Sequence, residues 1–403
     1  MQARRLRRAF FDSLQLSGAD AGVALTPDDY RTPRAGGITP EVCKAHGDRS
    51  RGELCWRTTS CEAAGMIIVR SVREDDLDSL YDLAREASPG MTTLPPDRDA
   101  LAAKVALSSA SVAKAVTKPG GEVYMLVMED TATGAVVGTA SVIACLGEEE
   151  PFYSYKLNKV THKSRVLDKK VTVATLNLSN HFEGFAEVAT LFLSPAYRQG
   201  GNGKLLARSR YLLMAAHRVR FPKAVMADLR GHYEDGGRSA FWEAVGRHFF
   251  DMDFAEADLF GALHGNQFIA ELMPTQPVYV NLLPADAQAV IGRVNTAGEP
   301  ALKLLEREGF RWQGHVDIFD AAPSVDAEID TLATVAGTSR AIFAGALTGT
   351  EATTPTLVAA GAIDTFTACL VPAAAGPEGL RLPLEAIKVL PVEIGSDLWY
   401  AEL

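Results

Sequence analysis

The segment Leu191-Phe192-Leu193-Ser194-Pro195-Ala196-Tyr197-Arg198-Gln199-Gly200-Gly201-Asn202-Gly203-Lys204 carries the plainest chemistry in this chain. An apolar run stops at Ser-Pro, and RxxGxG then leads into a helical pattern. Glycines at 200, 201 and 203 allow close backbone approach and positive φ, so successive N–H groups can converge on a phosphate at a helix N-terminus. The helix dipole favours negative charge at the same point. Arg198 to Gly203 is therefore a candidate pyrophosphate cradle. It is not a P-loop, because GxxxxGK[ST] is absent. Nor is it a dinucleotide fingerprint, because the GxGxxG order is not met and Arg198 precedes the glycines.

The remaining reactive residue types are scattered. Histidines at 162, 181, 217, 232, 248, 264 and 315 show no HxxxH or paired spacing, and the five cysteines at 43, 55, 61, 145 and 369 show no CxxC. This offers neither a zinc knuckle nor a disulfide scaffold, so a reducing cytoplasm is the expected compartment. Cys145 lies in an apolar run and reads as core, and His217 falls on the helix after the loop and reads as structural.

The elements that must position the loop follow from periodicity. Met66 to Val69 reads as a short strand, followed by a helix capped by Asp75 with Leu77, Leu80, Tyr81 and Ala84 on one face. A second helix spans 97–116. Val123 to Met128 and Val136 to Cys145 form a hairpin around the turn-like stretch 130–134. Phe185 to Leu193 is the strand before the glycine loop, and 203–218 the helix after it. Further on, 224–229 reads as strand, 239–250 as helix, 268–272 as strand, 285–291 as helix, and 298–308 as a helix ending at Gly309. Residues 336–403, rich in Ala, Gly, Thr and Val, read as a small β-rich C-terminal region.

Composition bounds the class. With 403 residues, 47% hydrophobic and 22% charged, the chain has the makings of a folded globular protein. The apolar runs are too short for a bilayer, which needs ~20 residues. A net charge of −10 disfavours nucleic acid. Residues 1–65 hold 10 basic and 8 acidic residues with little apolar periodicity, and read as a disordered N-terminal extension ahead of a domain over 66–335. Their acids argue against a transit peptide.

The loop, with its strand and helix, resembles the acyl-CoA loop of the GNAT acyltransferase superfamily. Asn295, followed by a helix ending in Glu308-Gly309-Phe310, resembles a later motif of that superfamily. The likeness narrows through Glu187-Val188-Ala189-Thr190-Leu191-Phe192-Leu193, Arg208-Ser209-Arg210, Met226-Ala227-Asp228-Leu229-Arg230-Gly231, Phe241-Trp242, Phe268-Ile269-Ala270-Glu271-Leu272-Met273-Pro274 and Asp317-Ile318-Phe319-Asp320. Together these are similar to bacterial arginine N-succinyltransferases over roughly residues 66–335.

The resemblance implies an α/β (α+β) fold with a GNAT-like mixed, mostly antiparallel sheet flanked by helices and splayed for a pantetheine arm. It implies transfer of succinyl from succinyl-CoA, as co-substrate rather than tightly bound cofactor, to the α-amino group of L-arginine. That is the first step of the succinyl route of arginine catabolism. A related acyltransferase using ornithine or another acyl-CoA, and an acyl-CoA-binding regulatory protein without catalysis, remain alternatives. A homo-oligomer or a paralogous subunit is a possible partner. The family's succinyl-CoA contact falls on Leu191, with Leu193 on the same strand, and its phosphate-binding amides on Arg198, Gln199, Gly200, Gly201, Asn202 and Gly203. The family's proton donor, a histidine, falls on Asn295, which can donate a hydrogen bond but has no proton to transfer.

For such chemistry an amine must lose a proton, and an oxyanion and a thiolate must be stabilised. Strand alternation puts Glu187, Ala189, Leu191 and Leu193 on one face, which makes Glu187 the candidate base and the Leu191 N–H a candidate oxyanion donor. His181, just upstream, is a candidate for the substrate region. Glu271 is a candidate partner for a guanidinium, because planar carboxylates pair with it in a bidentate manner.

Overall fold

The computed structural model describes residues 65–402 apart from 88–90, 92, 149–150, 235–236 and 265–266. The expected disordered extension thus lies almost wholly outside the described residues. In chain order the elements begin β1 (Ile67–Ser71), α1 (Leu77–Glu86), α2 (Arg98–Ala113), β2 (Val123–Asp130), β3 (Ala135–Ile143), β4 (Ser154–Ser164), β5 (Lys169–Ser179), β6 (Ala186–Leu193) and α3 (Asn202–Ala216). They continue β7 (Ala224–Asp228), α4 (Ala240–Ala244), α5 (Arg247–Phe250), α6 (Phe254–His264), α7 (Gln267–Leu272), β8 (Val278–Tyr279), α8 (Ala285–Val290), α9 (Glu299–Glu308), β9 (Arg311–Val316) and β10 (Pro323–Glu328). The last part holds α10 (Ala333–Ala336), β11 (Ser339–Ala346), β12 (Thr354–Ala360), β13 (Thr367–Gly376), β14 (Gly379–Leu382), α11 (Leu384–Val389) and β15 (Asp397–Glu402).

The strands form one mixed sheet in the order β12-β15-β11-β14-β13-β1-β2-β3-β6-β7-β10-β9-β4-β5-β8. Most neighbours are antiparallel. Among the described residues the parallel pairs are β6 with β7 and β11 with β14. Helix α3 covers one face, burying Leu205, Leu206, Tyr211, Leu212 and Leu213 against Val137, Val188, Val225 and Val325. On the other face α1 and α2 bury Leu80, Leu83, Leu101 and Val105 against Met125, Val127 and Phe192. Each such side chain removed from water contributes about 1.5–3 kcal/mol, enough to hold both helix layers on the sheet. The β-rich C-terminal strands join the sheet through β13, which pairs antiparallel with β1.

Three local expectations are corrected. The cap before α1 is Asp76, not Asp75, and its carboxylate accepts from Arg73 N at 2.7 Å while both its oxygens hold the Arg70 guanidinium at 2.8 Å. Residues 239–250 are two short helices broken at Val245–Gly246, where a Cβ on Gly246 would sit 2.3 Å from the Trp242 ring. Residues 268–272 are helical rather than extended. Ile269 and Met273, four apart, are both buried, and that spacing belongs to a helix face, not to strand alternation.

Candidate active site

The parallel pair β6 and β7 is joined only at Ala186–Val225 and Glu187–Met226. Beyond these two rungs β6 runs on to Leu193 without a β7 partner, while β7 stays paired with β10 along its whole length. The sheet therefore forks, with Glu187 at the apex. At the far end of the β6 arm stands the glycine loop.

The loop has the geometry its composition requires. Gly200 and Gly201 adopt φ of +61° and +86°, the second forming the N-cap of α3. A Cβ on either would be strained by conformation rather than by crowding. Arg198 Nε donates to the Leu193 carbonyl at 2.9 Å, Asn202 Nδ2 to the Tyr197 carbonyl at 3.0 Å, and Gln199 N to the same carbonyl at 2.8 Å. These bonds hold the loop in shape. The N–H groups of Gly200, Gly201 and Gly203 make no backbone hydrogen bond among the described residues, which leaves them for an anion at the helix N-terminus. Lys204, Arg208, Arg307 and Glu308 line a cavity between α3 and α9; Arg208 is paired with Glu308 at 2.7 Å, and Lys204 and Arg307 add positive charge.

One expectation about β6 fails. Glu187 does not share a face with Leu191 and Leu193. Thr190 has φ of +54°, and in the pairing with β3 the residues Thr190 and Leu191 together stand opposite Ala140. This β-bulge inserts one residue and reverses the alternation beyond it. Ala186, Val188 and Leu193 consequently pack toward α3, with Leu191 against the same core, whereas Phe192 packs toward α1 and α2. Glu187 faces the α2 side, where Lys104 of that helix exerts its charge on it. The Ala189 carbonyl, one residue before the bulge, lies 3.5 Å from Nη1 of the buried Arg210 on α3. Glu187, at the last β7 rung, and Leu191, beyond it, thus lie on opposite faces of the unpaired β6 arm.

Glu187 is 9% exposed, and burial, reinforced by the nearby Asp228 charge and only partly offset by Lys104, pushes its carboxyl up to about 8. Lys104 is itself lowered by burial and donates to the Thr93 carbonyl at 2.9 Å. Asp228, at the end of β7, is pushed up to about 6 by burial and by Asp320, against the Ser324 hydroxyl beside it. Asp317 is raised well above its usual range by burial and by Asp320 and Asp228, and Asp258 up to about 7 by burial, against Arg230 at 3.4 Å. Asp320 is held by Gly231 N and the Tyr233 hydroxyl, both at 2.7 Å.

Asn295 stands beside the same arm. Its backbone N donates to the Arg230 carbonyl at 2.9 Å, two residues past Asp228, and its side-chain Oδ1 accepts from Gly298 N at 2.7 Å at the start of α9. With the acceptor end thus occupied, the amide Nδ2 is the end without a hydrogen bond among the described residues. His181 is exposed, but its ring stacks on the buried His315 at 4.5 Å. Glu271 lies on the exposed face of α7 and none of the site's contacts includes it.

Sequence reasoning missed Lys104, Asp228, Ser324, Asp326 and His315. The two residues on β10 alternate with Val325 and Ala327, a pattern that ordinarily marks a strand with one wet face. Here both faces are buried.

Comparison with known proteins agrees with this picture. The profile of a family described as "Arginine N-succinyltransferase beta subunit" matches residues 67–334. A Yersinia pestis protein named arginine N-succinyltransferase is 40% identical over 275 residues, covering 68% of this chain and 78% of its own. A Pseudomonas aeruginosa protein named arginine N-succinyltransferase subunit beta is 37% identical, covering 80% and 99% respectively. The solved structure described as arginine/ornithine succinyltransferase subunit AI from Pseudomonas aeruginosa superposes with a TM-score of 0.75 at 31% identity, covering 84% of this chain and 99% of that one.

Proposed function

This chain belongs to the arginine N-succinyltransferase family, and from that premise we propose that it transfers succinyl from succinyl-CoA to the α-amino group of L-arginine. The observation that carries the reading at the level of the site is the forked β6–β7 pair, with a glycine-loop anion cradle at one end and a buried carboxylate of raised pKa at the apex. This is the GNAT-like arrangement expected of an acyl-CoA enzyme.

In this reading the pyrophosphate of succinyl-CoA sits on the N–H groups of Gly200, Gly201 and Gly203, and the pantetheine arm runs along Leu193 and Leu191 into the fork. The thioester then lies between Leu191 and Glu187. The neutral α-amino group of arginine attacks the thioester carbonyl carbon while Glu187 takes the one proton that the nitrogen loses. A C–N bond forms, the C–S bond breaks, and the proton taken from nitrogen leaves through Glu187. A carboxyl with pKa near the working pH suits that role, since it accepts the proton readily and returns to its charged form. The Leu191 N–H faces the developing oxyanion, and the Asn295 amide donates to the departing thiolate without transferring a proton.

The test is turnover of succinyl-CoA with a panel of amino acids, read as release of free thiol. Arginine, or ornithine as its shorter relative, should give acceptor-dependent thiol release. Binding of succinyl-CoA without thiol release would instead mark an acyl-CoA-binding regulatory protein. Both Pseudomonas aeruginosa relatives are named as subunits. Assembly of this chain with itself or with a paralogous subunit is proposed on that basis, and light scattering of the purified protein tests it.

A further inference from the structure

On the α2 side of the fork the strand registers place a row of acceptors. Across β6, β7 and β10 one rung reads Glu187, Met226, Asp326, and the rung beyond it pairs Asp228 with Ser324. Directly opposed residues project from the same face of a sheet, about 5 Å apart. Glu187, Asp228, Ser324 and Asp326 therefore surround Met226. The neighbouring rung residue on β9 is His315, opposite Ser324, with His181 stacked on it.

Three of these groups are incomplete. Asp228 Oδ1, Ser324 Oγ and Asp326 Oδ1 are shut off from solvent and none meets a partner in full hydrogen-bond geometry, the Ser324 hydroxyl having the Asp228 carboxyl as its neighbour; Ser324 is fully buried and Asp326 8% exposed. The other Asp326 oxygen is held by Gln313 Nε2 at 2.8 Å. Buried acceptors are ordinarily satisfied, and the single Ser324 proton can serve only one of them, so the Asp228 and Asp326 carboxylates gathered on one face still call for a further donor. Among the described residues no set of three His, Cys, Asp or Glu side chains is placed to hold a metal ion. A planar cation with several N–H donors answers the requirement: a guanidinium presents five in a rigid fork that matches carboxylates.

We propose that Asp326, Asp228 and Ser324 form the pocket that binds the guanidinium of the acceptor amino acid, with Glu187, on the same rung as Asp326 but two strands away, meeting its α-amino group. The inference rests on the arginine N-succinyltransferase reading and adds the residues that set acceptor specificity. Glu271, the candidate that the sequence offers for this contact, lies on the exposed face of α7. A cationic acceptor also relieves the repulsion that the Asp228 charge exerts on Glu187, which Lys104 only partly offsets.

The test uses the full-length protein and two readouts. Asp326→Asn keeps an acceptor for Gln313 and the size of the side chain, and Ser324→Ala serves as a second variant should the first fold poorly. Both should raise the KM for L-arginine at least tenfold, and Asp326→Asn should raise that for ornithine less, because an ammonium needs no bidentate partner. The calorimetric Kd for succinyl-CoA should be unchanged. An unaltered arginine KM, or an equal loss of succinyl-CoA affinity, overturns the assignment. The second readout needs no turnover: wild-type protein should bind agmatine, which carries the guanidinium, and Asp326→Asn should not. Wild-type protein that turns over no arginine sinks the enzymatic reading, whereas wild-type protein that binds no agmatine sinks the pocket whatever its activity.

Discussion

His181 and His315, distant in the chain, stack with ring centroids 4.5 Å apart and planes 17° from parallel. The His315 ring is buried, its Nδ1 is 3.2 Å from Ser154 Oγ, and burial together with the charges of Lys156 and His181 pushes its pKa down to about 4.

A neutral, buried histidine makes a definite claim about acid stability. Its folded pKa lies below the unfolded value of ~6.5, so between the two the unfolded chain binds more protons and stability falls as pH drops through that window. His217, likewise lowered to about 4 by burial and Arg220, acts in the same direction. Thermal melting of the wild type should therefore decline from pH 6.5 toward pH 4, and His315→Phe should flatten part of that slope. A slope identical in the variant would show that His315 is charged in the folded protein.

Glu187 carries the opposite sign. Its folded pKa of about 8 lies above the unfolded carboxylate value, so its contribution is present at low pH and is lost as pH rises toward 8. Glu187→Gln should melt higher than the wild type near pH 8, with little difference near pH 5. The same substitution should remove the ascending limb of kcat/KM against pH, centred near 8 in the wild type, and lower kcat by roughly 10²-fold or more as expected for loss of a general base. Unchanged kinetics would leave solvent as the proton acceptor.

Gly201 sits at φ of +86° on the N-cap of α3. Gly201→Val forces a β-branched residue into the left-handed region, at a cost of about 1–3 kcal/mol, and turns the loop N–H groups away from their common focus. Affinity for CoA by calorimetry should fall at least tenfold in protein that remains folded. A Kd equal to that of the wild type would remove the loop from the acyl-CoA site.

Asn295 combines a structural and a chemical task that one substitution separates. Asn295→Asp retains an oxygen for Gly298 N but loses the amide donor. Its melting temperature should match the wild type while kcat drops by an order of magnitude or more, the pattern of a contact that strengthens in the transition state. Asn295→Ala should lose both, the helix-start contact being worth about 1 kcal/mol. Asn295→His, which restores a titrating group, should be active with an added dependence near pH 6.5. Equal kcat in the Asp and Ala variants and the wild type would move the thiolate contact elsewhere.

The glycine loop was legible in the sequence because its chemistry is local: Gly200, Gly201, Gly203 and the strand and helix around them lie within a dozen residues, and backbone freedom and helix dipole act over that range. The same holds for Asn295 beside its helix and for most strands and helices, whose periodicity is a property of consecutive residues. What tertiary structure alone decided depends on register. The bulge at Thr190 arises from pairing with β3 and moved Glu187 to the face opposite Leu191, an outcome invisible to simple alternation. The acceptor row of Asp228, Ser324 and Asp326 exists because β10 pairs antiparallel with β7, and the His181–His315 stack because β4 pairs with both β5, which leads into His181, and β9, which carries His315. Side chains from separate strands meet only when the sheet assembles, and whether an alternating polar face is wet or buried is set by what packs over it.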